Sequence, residues 1–335
     1  MATMKAMLVR SPGGDFELVE RPIPEPGAHE VLIKVEACGI CHGDALAKEG
    51  GFPGLSYPRV PGHEVVGTIK KTGASVVAWK VGQRVGVGWH GGHCGFCGAC
   101  RKGAFGACAD SLTTGLSMDG GYAEYMIGRA EAMVGIPDEL NAAQAAPLLC
   151  AGGTTLGALR HAGARGGDVV AIQGLGGLGH LAVQFAAKLG CKTVALSRGK
   201  EKQALAFQLG AHAYIDTAEE DAAKKLQSMG GARVILCTAP NGKSMGELVG
   251  GLTPNGQMVI VAFSRDPMTI PPHWLMATRS ITGWVGGNLE ETIRFSIQTG
   301  VQPMIETFPL EQAAEAYQSM MTAKVHFRAV LKMSA

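Results

Sequence analysis

Short apolar runs, and what interrupts them, divide the chain into two textures. Residues 31–36, Val-Leu-Ile-Lys-Val-Glu, alternate, with Val31, Ile33 and Val35 on one side and Lys34 and Glu36 on the other. A two-residue period predicts a strand with one face buried. Pro22, Pro24, Pro26, Pro53, Pro58 and Pro61 punctuate the first 150 residues, which predicts a barrel-like, β-rich region with long loops. From about residue 151 the period changes. Residues 169–172 form an apolar run, the pattern of a parallel strand buried on both faces. Leu178, Leu181, Ala182, Phe185, Ala186 and Leu189 then recur at helical spacing, with the helix opening at about residue 177. Further strands are predicted at 193–196, 234–237 and 258–262, with helices between them. This βαβ alternation predicts a parallel sheet. A helix over 289–299 and an apolar strand over 328–331 follow.

Composition narrows the picture. A chain of 335 residues predicts two domains. With 46% hydrophobic and 17% charged residues it has enough apolar surface for sizeable cores, which excludes disorder. Basic and acidic residues number 30 and 28 and are mixed along the chain, without a run of Lys or Arg. Neither nucleic acid nor a membrane surface is therefore an expected partner. No stretch is apolar enough for a signal peptide or a membrane span, so a soluble, cytoplasmic protein is expected. In a reducing compartment closely spaced cysteines point to metal or catalysis before disulfides, and this chain has nine.

Four of them, Cys94, Cys97, Cys100 and Cys108, follow the spacing C-x2-C-x2-C-x7-C among glycines. Four soft thiolates close a tetrahedral zinc shell with no open position, so such a site braces a loop and does no chemistry. A bacterial iron–sulfur run also begins C-x2-C-x2-C, but its fourth cysteine follows three residues later and precedes proline; here seven intervene and Ala109 follows. A nucleic-acid zinc module would need more basic residues than Arg101 and Lys102.

Cys41, His63 and Cys150 stand in Cys-Gly-Ile-Cys-His-Gly-Asp, Pro-Gly-His-Glu and Leu-Leu-Cys-Ala-Gly-Gly. Two cysteines and one histidine make an open zinc site, and their charge sum neutralises the ion. A lone cysteine in an apolar run is more often core than ligand, so spacing alone leaves both readings standing. Cys38 and Cys41 also form a C-x-x-C pair, though outside the βαβ region where redox pairs are usual.

Gly174-Leu-Gly176-Gly177-Leu178-Gly179 follows a predicted strand and opens a predicted helix. In that context G-x-G-x-x-G is a dinucleotide turn, with pyrophosphate at the helix N-terminus. The next strand ends in Ser197-Arg198-Gly199-Lys200, without the acid that would bond a ribose 2′-hydroxyl. Ser197 and Arg198, with Lys202 nearby, suit a 2′-phosphate, so NADP(H) is favoured over NAD(H).

Together these motifs resemble, over essentially the whole chain, the zinc-dependent medium-chain alcohol dehydrogenases. The resemblance implies an α/β protein: a GroES-like, β-rich catalytic domain over 1–150 completed by a return segment at 287–335, and a Rossmann domain with a doubly wound parallel sheet over 151–286. It implies two zinc ions per chain. Cys41, His63 and Cys150 would hold the catalytic ion, Glu64 would exchange onto it, and Asp44 would orient His63. Cys94, Cys97, Cys100 and Cys108 would hold the structural ion. Residues 174–179 would carry the coenzyme, His42 and Arg328 would approach its pyrophosphate, and the backbone at Val261 and Phe263 would face its nicotinamide. Phe52, Trp89 and His90 would line the substrate channel, an aromatic lining that suits benzylic or allylic alcohols. The implied reaction is hydride transfer between a small-molecule primary alcohol or aldehyde and NAD(P), by a homodimer or homotetramer. Position 43 departs from the family pattern: Gly43 stands where Ser or Thr is usual, which predicts that the alcohol proton leaves through water toward His42. Two other readings are a quinone or enoyl reductase on the same fold, which needs no zinc, and a non-enzymatic zinc-stapled binding protein. Cys41, His63 and Cys150 speak against the first, and the coenzyme turn beside an open site speaks against the second.

Overall fold

The computed structural model describes residues 2–334. They divide into two compact units.

The first unit comprises residues 1–150, 289–294 and 303–335. Its main sheet has seven strands. Six run in the order Ile305–Pro309, Arg328–Lys332, Glu30–Gly39, Val65–Thr72, Arg84–Val87 and Met133–Gly135, and Tyr125–Arg129 pairs with Glu30–Gly39 off that path. Val31, Ile33 and Val35 are fully buried, and Lys34 and Glu36 are half-buried, so the two-residue period held. Glu36 accepts bonds from Thr68 Oγ1 at 2.6 Å and Arg84 Nε at 3.2 Å, which gives its charge partners at the sheet surface. Apolar side chains of the sheet pack with Leu310, Ala313, Ala316, Tyr317 and Met320 into one core. A short pair, His90–Gly92 with Leu112–Thr113, brackets the four-cysteine loop.

The second unit comprises residues 151–288 and 295–302. Its six strands run in the order Ala213–Asp216, Lys192–Ser197, Val169–Gln173, Ala232–Cys237, Leu252–Ile260 and Ser280–Gly283, and every pairing is parallel. In chain order this is 3-2-1-4-5-6, the doubly wound arrangement whose switch point lies beside the first strand. The helix after that strand spans Gly179–Lys188, two residues later than the apolar pattern suggested. The segment expected to return wholly to the first domain is shared between the units. Phe295 packs on Phe185 with centroids 5.9 Å apart, and Gln302 accepts from Gln184 Nε2 at 2.9 Å, which draws residues 295–302 to the second unit.

Candidate metal and coenzyme sites

Register brings the scattered residues of the first site together. Cys38 pairs with Val65 in the antiparallel ladder. Cys41, just beyond one strand, and His63 and Glu64, just before the other, therefore meet at one end of the sheet. Cys150 ends the Ala146–Leu149 turn. One ligand atom each from Cys41, His63, Glu64 and Cys150 lies within 4.8 Å of the others, and the two sulfurs are 3.9 Å apart.

Asp44 anchors the cluster. It is 2% exposed; its Oδ1 lies 3.0 Å from His63 Nδ1, and its Oδ2 accepts from Cys41 N and Tyr122 Oη, both at 2.9 Å. The carboxylate fixes the tautomer of His63 and leaves Nε2 free to act as a ligand. Tyr122 carried no signal in the sequence: its phenol meets Asp44 across 78 residues.

The donor set fits a metal ion. His63 Nε2 and Glu64 Oε2 are buried with no hydrogen-bond partner among the described residues, and such groups are costly unless something satisfies them. Two thiols in contact, one buried and one partly buried, do not both ionise readily without a counter-charge. The bond from Cys150, helped by His63, pulls Cys41 well below the ordinary thiol value, and the same bond together with burial pushes Cys150 well up. A divalent cation removes that conflict and lets both be thiolates. Burial pushes the Glu64 carboxyl up to about 7 against the pull of Arg328.

Arg328 lies against the same cluster. It is 3% exposed and its guanidinium donates to Glu64 Oε1, so within this unit it is engaged by a carboxylate. His42 is exposed beside Cys41. Trp89 and Phe52 do come to the cluster: the Trp89 ring meets His63 edge-on at 4.9 Å and Phe52 at 6.4 Å. His90 does not join them. It bonds His93 at 2.9 Å and stacks near Phe105 of the four-cysteine loop, because successive residues of an extended chain point to opposite sides.

In that loop the sulfurs of Cys94, Cys97, Cys100 and Cys108 lie within 4.8 Å of one another. Backbone N–H groups of Cys97 and Cys100 point at Cys94 Sγ and Cys97 Sγ at 3.4 and 3.5 Å. The Cys97 thiol is lowered to about 6, first by the Cys100 N–H. This is a preformed thiolate nest suited to one zinc ion.

In the second unit Gly174 takes φ +92°, and a Cβ there would lie 2.8 Å from Ala239 Cβ. A Cβ on Gly179 would strike the Gly174 carbonyl, whereas nothing lies within 4 Å of the same position on Gly176. The outer glycines are thus required by the turn, and the middle one leaves its backbone open to a ligand. Ser197 ends its strand and Arg198 is exposed. Lys202 Nζ donates to Leu175 O at 2.9 Å, which ties this lysine to the glycine turn. Val261 N and Ala262 N donate to Cys237 O at 3.1 and 3.2 Å, and Phe263 is 74% exposed.

A β-rich unit with an open Cys2His cluster and a four-thiolate loop, together with a doubly wound nucleotide fold, defines a zinc-binding dehydrogenase. Sequence profiles agree: the alcohol dehydrogenase GroES-like domain matches residues 27–138, and the zinc-binding dehydrogenase domain matches residues 177–301. Alcohol dehydrogenase notN of Aspergillus sp. (strain MF297-2) is 42% identical, covering 99% of this chain and 98% of its own. Alcohol dehydrogenase patD of Penicillium expansum is 44% identical over 99% and 98%. A solved cinnamyl alcohol dehydrogenase of Sorghum bicolor superposes with a TM-score of 0.88 at 29% identity, over 99% of this chain and 98% of that one. The chain belongs to the zinc-dependent medium-chain alcohol dehydrogenase family. It is an oxidoreductase with zinc and a nicotinamide coenzyme. No helix among the described residues is long and apolar enough to cross a membrane.

Proposed function

We propose that the protein oxidises primary alcohols, benzylic and allylic ones among them, and reduces the matching aldehydes, with NADP(H) favoured over NAD(H) and two zinc ions per chain. It would work in the cytoplasm as a homodimer or homotetramer. The observation that carries this reading is the buried, partnerless His63 Nε2 facing the sulfurs of Cys41 and Cys150. Bound there, zinc supplies Lewis acidity toward an alcohol or carbonyl oxygen, and the coenzyme takes or gives the hydride. Asp44 holds His63 in its ligating tautomer, and Glu64 supplies a second carboxylate oxygen at the same spot. Phe52 and Trp89 present aromatic surface beside His63, which supports flat, unsaturated substrates, as does the similarity to the sorghum cinnamyl alcohol dehydrogenase. Ser197, Arg198 and Lys202 supply hydroxyl and cationic groups where a 2′-phosphate would lie, and the neighbouring Asp216 carboxylate is taken up by the N–H groups of Gly199 and Ala218.

The test is metal analysis combined with a panel of alcohols and aldehydes run with both coenzymes. Two zinc ions per chain and a higher kcat/KM for NADPH than for NADH are expected. One zinc ion, without alcohol turnover, would favour a quinone or enoyl reductase instead, and a preference for NADH would overturn the coenzyme assignment.

Asp44→Asn probes the anchor. An amide places an N–H2 group against either His63 Nδ1–H or the two donors at Oδ2, so one contact is lost whichever way it turns. Zinc affinity at the Cys41 site is expected to fall about 10–100-fold, the usual effect of losing an outer-shell carboxylate. Competition with a chelator measures it, and an unchanged affinity would remove Asp44 from this role.

A further inference from the structure

The loop that follows the strand Lys192–Ser197 is held from the neighbouring strand. Ala213–Asp216 runs parallel to it, with Asp216 opposite Ser197. Tyr214 and Asp216 are two residues apart and share one face, while Ile215 between them turns the other way and is fully buried. Both side chains reach Gly199, beyond the end of the strand. Asp216 Oδ1 accepts from Gly199 N at 2.8 Å and from Ala218 N at 3.0 Å, and Tyr214 Oη donates to Gly199 O at 2.6 Å. Thr217 N donates to Ser197 O at 3.0 Å. Burial raises the Tyr214 phenol above its ordinary value, which keeps the hydroxyl a donor. Gly199 stands at φ +72°, a left-handed backbone that glycine adopts without steric cost. The backbone is thus pinned at Ser197 and at both polar groups of Gly199. Arg198 lies between the pins with its side chain exposed.

We infer that Tyr214 and Asp216 are positioning residues for coenzyme selection: they fix the backbone that carries Ser197 and Arg198, so that the loop meets the ribose 2′ position already ordered. This rests on the NADP(H) reading given above and adds two residues that act through the loop. Fixing a loop in its binding conformation removes the cost of ordering it from the binding step. The gain falls on the part of the ligand that this loop reads, the 2′-phosphate, and not on the pyrophosphate carried by the glycine turn. Asp216 has a second consequence. At 6% exposure, with two N–H groups on Oδ1, its carboxylate organises the loop. It does not take the place of the acid that, in an NAD(H) site, pairs with the ribose 2′-hydroxyl.

Two fragments isolate the effect, because 2′,5′-ADP and 5′-AMP differ only in the 2′-phosphate. Calorimetry on the zinc-loaded full chain measures both dissociation constants, and the parent is expected to bind 2′,5′-ADP more tightly. Tyr214→Phe should weaken 2′,5′-ADP about 5-fold, the scale of one hydrogen bond, and 5′-AMP less than about 2-fold. Asp216→Asn and Asp216→Ala both remove the charge, but only the amide keeps an acceptor for the Gly199 N–H. The preference for 2′,5′-ADP should therefore be about 5-fold lower in the alanine variant than in the asparagine one. A residue that merely stabilised the fold would shift both nucleotides alike. Hydrogen exchange gives a readout without ligand: the Gly199 amide should exchange about 10-fold faster in Tyr214→Phe and in Asp216→Ala than in the parent. Equal weakening of both nucleotides or no weakening in Tyr214→Phe, equal preference in the two Asp216 variants, or unchanged exchange would each overturn the proposal. A parent that binds the two nucleotides equally would refute the NADP(H) reading, while exchange would still decide whether the two side chains hold the loop.

Discussion

Cys41→Ala is expected to reduce bound zinc from two ions per chain to one and to lower alcohol oxidation at least about 1,000-fold, equivalent to about 4 kcal/mol of lost transition-state stabilisation. The size of the effect follows from the donor set. Cys41 carries the thiolate whose ionisation the site favours most, since Cys150 and His63 both lower it. Once it is gone, Cys150, His63 and Glu64 remain as possible donors. Glu64 already brings its free Oε2 to the cluster, but one hard carboxylate oxygen does not replace a soft thiolate, and its Oε1 is committed to the buried Arg328 guanidinium. Pulling the carboxylate away would leave that cation unpaired at 3% exposure, and breaking a buried pair costs several kcal/mol. The four-thiolate loop shares no ligand with this site and should keep its ion. Metal analysis, turnover and thermal unfolding of the same preparation check the outcome. A variant that retains two zinc ions and parental turnover would refute the assignment of Cys41, and one zinc ion with an unchanged melting transition would show that the loss is local.

The two metal clusters differ in how visible they were in the sequence, and chain separation is the reason. Cys94, Cys97, Cys100 and Cys108 lie within one short loop, so spacing alone carries their geometry. Cys41 meets His63 because strand register brings the loop after Gly39 to the segment before Val65, and Cys150, 109 residues from Cys41, reaches them from the end of the Ala146–Leu149 turn. Motif context and family resemblance pointed to them; periodicity did not. The strand at 31–36 and the helix at 289–299 were legible because half-buried elements must repeat with the period of their backbone. His90 was misplaced by sequence adjacency, since neighbouring residues of an extended segment face apart. Tyr122 and the hold on Gly199 were invisible for a common reason: each depends on contacts between separate segments, and such contacts leave no local pattern.

The loop that spacing revealed most clearly also has the least to hold it without metal. Residues 101–107 are all exposed, and the apolar Phe96 and Phe105 are 68% and 41% exposed. Its regular structure amounts to two three-residue turns, Cys100–Lys102 and Phe105–Ala107. Burial of that extent cannot offset the backbone entropy of ordering the loop, which is about 1–2 kcal/mol per residue. A zinc ion held by the four thiolates would supply the deficit, since such sites contribute on the order of 10 kcal/mol to folding. Cys100→Ala removes the most central ligand, whose sulfur lies 3.5 Å from Cys97 and 3.9 Å from Cys94. The expected result is loss of the second zinc ion and local unfolding of the loop, with the main sheet of the same unit intact. Trypsin reads this directly, because Arg101 and Lys102 lie in the loop. Cleavage after these residues should accelerate at least about 100-fold, in proportion to the population of the open loop. A cleavage rate equal to that of the parent would mean that the loop is held by contacts other than its metal. Unfolding of the whole chain at the parent's working temperature would mean that the loop braces more than itself.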